Sequence, residues 1–175
     1  MNLNQKIKKI KMLLLDVDGV LTDGKIILGK NDLELKAFDI HDGFGIKMAQ
    51  QGGIKVGIIT GRKSEVVAKR AKELQLDEVF QGQMRKSQAF NQILAKHNLS
   101  EKEVAFVGDD LFDLPVLTRA GFSAAVANAK EEVKVKVDYV TQLPGGKGAV
   151  REVTDLILKT QNKWQHVLED MITYD

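Results

Sequence analysis

The sequence predicts an α/β fold, a doubly wound parallel sheet with crossover helices. Three observations carry this reading. Several short apolar runs end in Gly, Asp or Thr, and stretches of helical period separate them. The length of 175 residues, 43% of them hydrophobic, suffices for one well-buried core but not for two ordinary domains. Residues 1–175 are therefore expected to form a single domain.

The elements follow in order. The basic start Lys6, Lys8, Lys9 and Lys11 reads as a solvated lead-in rather than a contact with an anionic surface. Residues 12–17 form the expected first strand; the apolar part of this run is too short for a signal core and meets Asp16 at once. Residues 25–40 break the alternation and read as two strands around the turn Gly29-Lys30-Asn31-Asp32, a hairpin inserted after strand one. A helix over 45–51 stops at Gly52-Gly53. Further strands are expected over 54–60, 78–81, 104–108 and 123–126, with helices over 64–74, 87–97, 111–120 and 149–160. In the helical tail, about 160–175, Trp164, Val167, Leu168 and Met171 recur at i, i+3, i+4 and i+7, a stripe that packs on this domain or on a neighbouring subunit. A sheet wound in this way places its chemistry at the carboxyl ends of the strands.

Composition narrows the function. The formal charge of +2 arises from nearly balanced acids and bases, so no global field argues for nucleic acid or a membrane surface. Cysteine is absent, which removes thiolate catalysis and cysteine zinc sites and suits a reducing cytoplasm. No secretory or membrane-spanning segment is expected.

The residues that carry chemistry sit at strand ends. Asp16 and Asp18 lie two apart, so on an extended chain both carboxylates face the same way, and Gly19 allows a sharp turn. Such close carboxylates repel, which favours a bound cation or a raised pKa. Asp109, Asp110 and Asp113 follow a second apolar strand; Asp110 and Asp113 read equally well as helix-capping acids. Two acidic strand ends in one sheet can meet around Mg²⁺, which takes a few carboxylates together with water and substrate phosphate. Thr60-Gly61-Arg62 ends another strand with a hydroxyl, a close-approach glycine and a guanidinium, and Lys86 opens the following helix. Singly, Thr60 reads equally well as a helix cap or a ligand, Arg62 as a surface charge and Lys86 as an ordinary solvated lysine. Their occurrence at successive strand ends points to a phosphate site.

Asp16-Val17-Asp18-Gly19-Val20-Leu21-Thr22-Asp23-Gly24, Ile59-Thr60-Gly61-Arg62, Lys86 and Gly108-Asp109-Asp110-x-x-Asp113 resemble the four motifs of the haloacid dehalogenase superfamily, in order. With the short hairpin in place of a large cap and the run Gly145-Gly146-Lys147-Gly148-Ala149-Val150-Arg151-Glu152, the chain is similar to the 3-deoxy-D-manno-octulosonate 8-phosphate phosphatase branch. That resemblance implies a Rossmann-like domain whose Asp16 attacks phosphorus and whose Asp18 serves as acid and then base. It further implies Mg²⁺ on the Asp16 side chain, the Asp18 carbonyl and Asp109, with Asp110 and Asp113 behind them. Thr60, Gly61, Arg62 and Lys86 are the implied phosphate contacts, and His41, Asp42, Lys147 and Arg151 possible sugar contacts. For Lys147 and Arg151, solvated charges beside a glycine-rich turn are an equal reading; His41, where relatives often carry Arg, reads more simply as a surface histidine. The branch also implies a homotetramer joined through hairpins 25–40, with C-terminal segments reaching a neighbour's site, acting on a small sugar phosphate in lipopolysaccharide precursor synthesis.

Rivals are a phosphatase of nine-carbon keto-sugar phosphates, which tends to carry Glu where this chain has Arg62, and a silent phosphatase-like binding domain. A receiver domain is disfavoured because Asp109 follows Thr60 and Lys86 in the chain. His97 and His166 have no metal-ligand spacing and receive no role.

Overall fold

The computed structural model of the chain describes residues 1–31 and 33–173. Its elements run α1 (Leu3–Ile7), β1 (Met12–Leu15), β2 (Ile27–Leu28), β3 (Glu34–Leu35), α2 (Ile40–Gln51), β4 (Lys55–Ile59), α3 (Glu65–Glu73), β5 (Glu78–Phe80), α4 (Lys86–His97), β6 (Val104–Gly108), α5 (Leu114–Leu117), β7 (Phe122–Ala125), α6 (Glu131–Lys134), β8 (Tyr139–Val140), α7 (Ala149–Thr160) and α8 (Trp164–Ile172).

Every residue of β1 is buried, because the strand is paired in parallel on both edges, with β4 and with β6. Strands covered on both faces read as unbroken apolar runs, which is why this one was legible. The parallel sheet has the order β5-β4-β1-β6-β7-β8. The chain winds outward from β1 to β4 and β5, then crosses back to β6 and winds the other way. That reversal opens a crevice at the carboxyl ends of β1, β4 and β6.

Helices α2 and α7 pack closely over the sheet. A Cβ at Gly45 would lie 2.5 Å from Thr154 Oγ1 and 3.0 Å from the Arg151 Cα, so only glycine permits this approach. Helix α2 starts at Ile40, five residues earlier than expected, because Asp39 caps it by accepting from the His41 N–H at 2.7 Å. The stripe of α8 falls on its own chain: Val167 is buried with Met48 and Leu158, and Trp164, Leu168 and Met171 pack around them.

Other departures have local causes. Helix α1 was read as a solvated lead-in, yet Asn2 and Gln5 form a capping box, Ile7 is buried, and Lys6 and Lys11 pair with Asp138 and Glu103. The helix expected over 111–120 is a 3-10 turn at Leu111–Asp113 followed by α5, since Pro115 in the first turn of α5 has no N–H to continue a ladder. Strand β8 is two residues long, below what an apolar run reveals. The hairpin is present, but β2 and β3 are two residues each; the Gly29 N–H closes it on the Leu33 carbonyl at 2.7 Å, and Asp32 of the expected turn lies outside the described residues. Among the described residues no helix is long and apolar enough to cross a membrane.

Candidate active site at the strand tips

Asp16 leaves β1 directly into a tight loop. The Val17 carbonyl accepts from Leu21 N at 2.9 Å and Thr22 N at 3.1 Å, and Thr22 Oγ1 accepts from Gly24 N at 3.2 Å. At Gly19 the backbone turns with φ +99°, and a Cβ there would sit 2.1 Å from Asp109 Oδ2, so the glycine is what lets the β1 and β6 tips close on each other. The Gly145-Gly146 turn braces this loop from behind: Gly146 N donates to the Val20 carbonyl at 2.9 Å, and Gly145 N to Asn128 Oδ1 at 2.8 Å.

Lys86, at the start of α4, bridges two acids. Its Nζ lies 2.8 Å from Asp16 Oδ1 and 2.6 Å from Asp113 Oδ1. The other oxygen of Asp113 accepts from Asp109 N at 2.9 Å and Asp110 N at 3.3 Å. Both oxygens of Asp113 are thus committed to holding its neighbours, while Asp110 caps the 3-10 turn through Leu111 N at 2.7 Å. Carboxylate oxygens of Asp16, Asp109 and Asp113 come within 4.8 Å of one another. Asp109 Oδ1 is buried without a hydrogen-bond partner.

The electrostatics register this crowding. Burial, then the charges of Asp16, Asp113 and Asp110, push the Asp109 carboxyl up to about 8. Burial likewise lifts Asp16 to about 6, against the opposing pull of Lys86. Burial works against the Lys86 ammonium, but Asp16 and Asp113 outweigh it and hold its pKa above the usual lysine value. An all-oxygen set with an orphaned buried oxygen suits a hard divalent cation.

A cavity of about 250 Å³ opens over these groups and is lined by Asp16, Asp18, Thr60, Gly61, Arg62, Lys86 and Asp109 among others. Thr60 is buried at the end of β4; Ser64, not Thr60, caps α3. Asp18 is held by cations of its own: Oδ1 is paired with Lys36 Nζ, and Oδ2 lies 3.9 Å from Arg62 Nε. Lys36 and its neighbour Glu34 were missed in the sequence. The available signal was their spacing of two, which puts both on one face of the second hairpin strand, opposite Leu33 and Leu35.

The four residues expected to contact sugar, His41, Asp42, Lys147 and Arg151, do not line the Asp16 cavity. Asp42 is buried in α2 and accepts from Gly148 N at 3.3 Å and Arg151 N at 2.8 Å, serving the first turn of α7. His41, Lys147 and Arg151 line a separate cleft of about 610 Å³ with Tyr139 and Glu152. There Arg151 Nε pairs with Asp155 at 2.6 Å and its guanidinium lies 5.4 Å from the Phe44 ring centre.

Comparison with known proteins agrees with this geometry. A family profile for haloacid dehalogenase-like hydrolases matches residues 76–152. The 3-deoxy-D-manno-octulosonate 8-phosphate phosphatase KdsC of Escherichia coli K12 is 49% identical over 158 residues, 90% of this chain and 84% of that protein. The crystal structure of the phosphatase of that name from Yersinia pestis superposes with a TM-score of 0.92 at 44% identity, covering 93% of this chain and 88% of that one. The Moraxella catarrhalis phosphatase, solved in complex with magnesium ion, phosphate ion and KDO molecule, gives 0.94 at 43% identity and covers 97% of both chains. At 49% identity over 90% of its length, and with solved relatives superposing at TM-scores of 0.92 and 0.94, the chain belongs to the 3-deoxy-D-manno-octulosonate 8-phosphate phosphatase family of haloacid dehalogenase-like hydrolases.

Proposed function

We propose that this chain hydrolyses 3-deoxy-D-manno-octulosonate 8-phosphate to the free keto-sugar acid and inorganic phosphate, through an aspartyl-phosphate on Asp16, as a step in lipopolysaccharide precursor synthesis. The observation that carries this reading is the placement of Asp16, Lys86 and Asp109 around one cavity, with Thr60 on its wall. Asp16 attacks phosphorus in line while the ester oxygen leaves with a proton from Asp18; Asp18 then takes a proton from the water that cleaves the acyl phosphate. Thr60 and Lys86 stabilise the phosphoryl oxygens as charge spreads over them. Asp16, the Asp18 carbonyl and Asp109 would hold Mg²⁺, with Asp110 and Asp113 supporting them, and the ion would supply charge neutralisation between Asp16 and the incoming anion. Gly61 and Arg62 face the same anion from the loop after β4.

Residues 1–175 act as one domain in this reading, with hairpin 25–40 as the contact surface of a homotetramer and a helical tail from about 160, of whose expected span residues 174 and 175 lie outside the described residues. The exposed apolar side chains of Ile27, Leu28, Leu33 and Leu35 support that contact. Lys147, Arg151 and His41 would reach sugar only in a neighbour's site, which their separation from the Asp16 cavity favours over contact within one subunit, and the buried Asp42 would act there only through the turn of α7 that carries Arg151. The cysteine-free composition suits the cytoplasm. Arg62 favours the eight-carbon substrate over the nine-carbon one.

Phosphate release is the direct test, measured with Mg²⁺ against both keto-sugar phosphates beside Asp16→Asn. Activity on the eight-carbon ester that the substitution abolishes is the expected result. Equal turnover by the Asp16→Asn variant would overturn the nucleophile; no turnover of any sugar phosphate by the parent chain would favour a binding domain.

A further inference from the structure

We propose that Lys36, from the hairpin, is a positioning residue for Asp18: it fixes one carboxylate oxygen so that the other carries the proton for the leaving group. The inference rests on the acid–base role given to Asp18 above.

The geometry divides the cations of the pocket into two sets. Lys86 is committed to Asp16 and Asp113, whereas Lys36 Nζ is paired with Asp18 Oδ1 and lies 3.6 Å from Glu34 Oε1. The Lys36 side chain has 0% exposure. A long, strongly hydrated ammonium is costly to bury, and a hairpin that served only for packing would gain more from an apolar residue there. Glu34 and Arg62 complete the arrangement, with the guanidinium 3.6 Å from Glu34 Oε1 and 3.9 Å from Asp18 Oδ2. Among the described residues, the charged partner of Asp18 Oδ2 is the distant, half-exposed Arg62, while Oδ1 is fixed, and Asp18 lines the cavity.

The consequence is directional. With Oδ1 occupied by an ammonium donor, a proton on Asp18 resides on Oδ2, and it passes from there to the ester oxygen as the P–O bond breaks. Without Lys36 the carboxyl is free to rotate toward the acids of Asp16 and Asp109, and the donor is misaligned. A misaligned acid penalises only leaving groups that need a proton.

This difference supplies a test. The value of kcat/KM, which reports the first phosphoryl transfer, is measured on the keto-sugar 8-phosphate and on 4-nitrophenyl phosphate for the parent enzyme, Lys36→Met, Lys36→Gln and Lys36→Arg. The alkoxide leaving group needs protonation and 4-nitrophenolate does not. We expect the Met and Gln variants to lose about 10²-fold on the sugar phosphate, at least about tenfold more than on the aryl ester. The loss falls in kcat rather than KM, and Arg restores part of it. Adding Lys36→Met to Asp18→Asn should cost nothing further on the sugar phosphate. Equal losses on both esters, in whichever variants fold, or an additive loss in the double variant, would reduce Lys36 to a structural ion pair and overturn the proposal. If the parent enzyme turns over only the aryl ester, the substrate assignment fails instead; an alkyl phosphate that it does accept then replaces the sugar ester in the same comparison.

Discussion

Lys86 stands between two buried acids, and its removal should be felt twice. Lys86→Met leaves Asp16 and Asp113 without their shared cation, so the metal-free protein should unfold at lower temperature, by about 3 kcal/mol in a denaturant titration. Phosphate release should fall by about 10²-fold or more, since a preorganised donor to the transferring group is lost. A variant that keeps parent-like turnover would remove Lys86 from the chemistry. The residues of this cluster were legible because each follows a buried, unbroken apolar strand or opens the helix after one, and a parallel sheet gathers such ends. The partners of Asp42 were not legible, because Gly148 and Arg151, whose N–H groups donate to it at the start of α7, lie more than a hundred residues away in sequence. Lys36 and Glu34 escaped notice because their spacing of two shows that they share a face but not that this face meets Asp18, more than a dozen residues earlier in the chain.

At the scale of elements, α2 and α7 are joined by Asp42, and that joint titrates. Burial, opposed by the N–H groups of Arg151 and Gly148, lifts the Asp42 carboxyl to about 6. Between about pH 4 and pH 6 the folded chain therefore retains a proton that the unfolded chain has released, so this group's contribution to stability falls as pH rises through that window. Against Asp42→Asn, which cannot ionise, the parent should lose roughly 2–3 kcal/mol of relative stability between pH 4 and pH 7 in urea titrations. A pH-independent difference would show that Asp42 keeps an ordinary pKa. The same interface sets a steric test: Gly45→Ala drives a methyl against Thr154 and Arg151, and should cost about 1–3 kcal/mol. Neither contact was visible in the chain, although both helices were. Periodicity reports which residues face inward, but the distance between two helix axes is set by pairs such as Gly45 and Thr154 that no single-chain pattern links.

For the whole molecule, the acidic strand tips and the apolar hairpin bear on stability in opposite ways. Converging carboxylates destabilise the metal-free fold, so a cation that binds only the folded state should raise the melting temperature, by about 2.7 kcal/mol at a hundredfold excess over Kd, or about 5–10 °C for a chain of this size. Asp109→Asn should melt higher than the parent without metal and lose most of the Mg²⁺ shift. The hairpin, by contrast, exposes 72% of Leu28 and 50% of Leu35 to solvent, surface that a lone subunit gains nothing by displaying. Among the described residues β2 and β3 pair only with each other, so the outer edges of this short two-stranded sheet are open to a second copy. Replacing both Leu28 and Leu35 with Glu places charge in the proposed contact without touching the sheet core, so the chain should keep its fold while the proposed assembly comes apart. Light scattering after size exclusion should then report a monomer near 19.4 kDa where the parent elutes as a larger species. Because Lys36 follows directly on β3, the dissociated variant should also lose sugar-phosphate turnover more than aryl-ester turnover. A parent that is already monomeric would end the hairpin's role as a contact surface, while leaving the grip of Lys36 on Asp18 to be judged on its own kinetics.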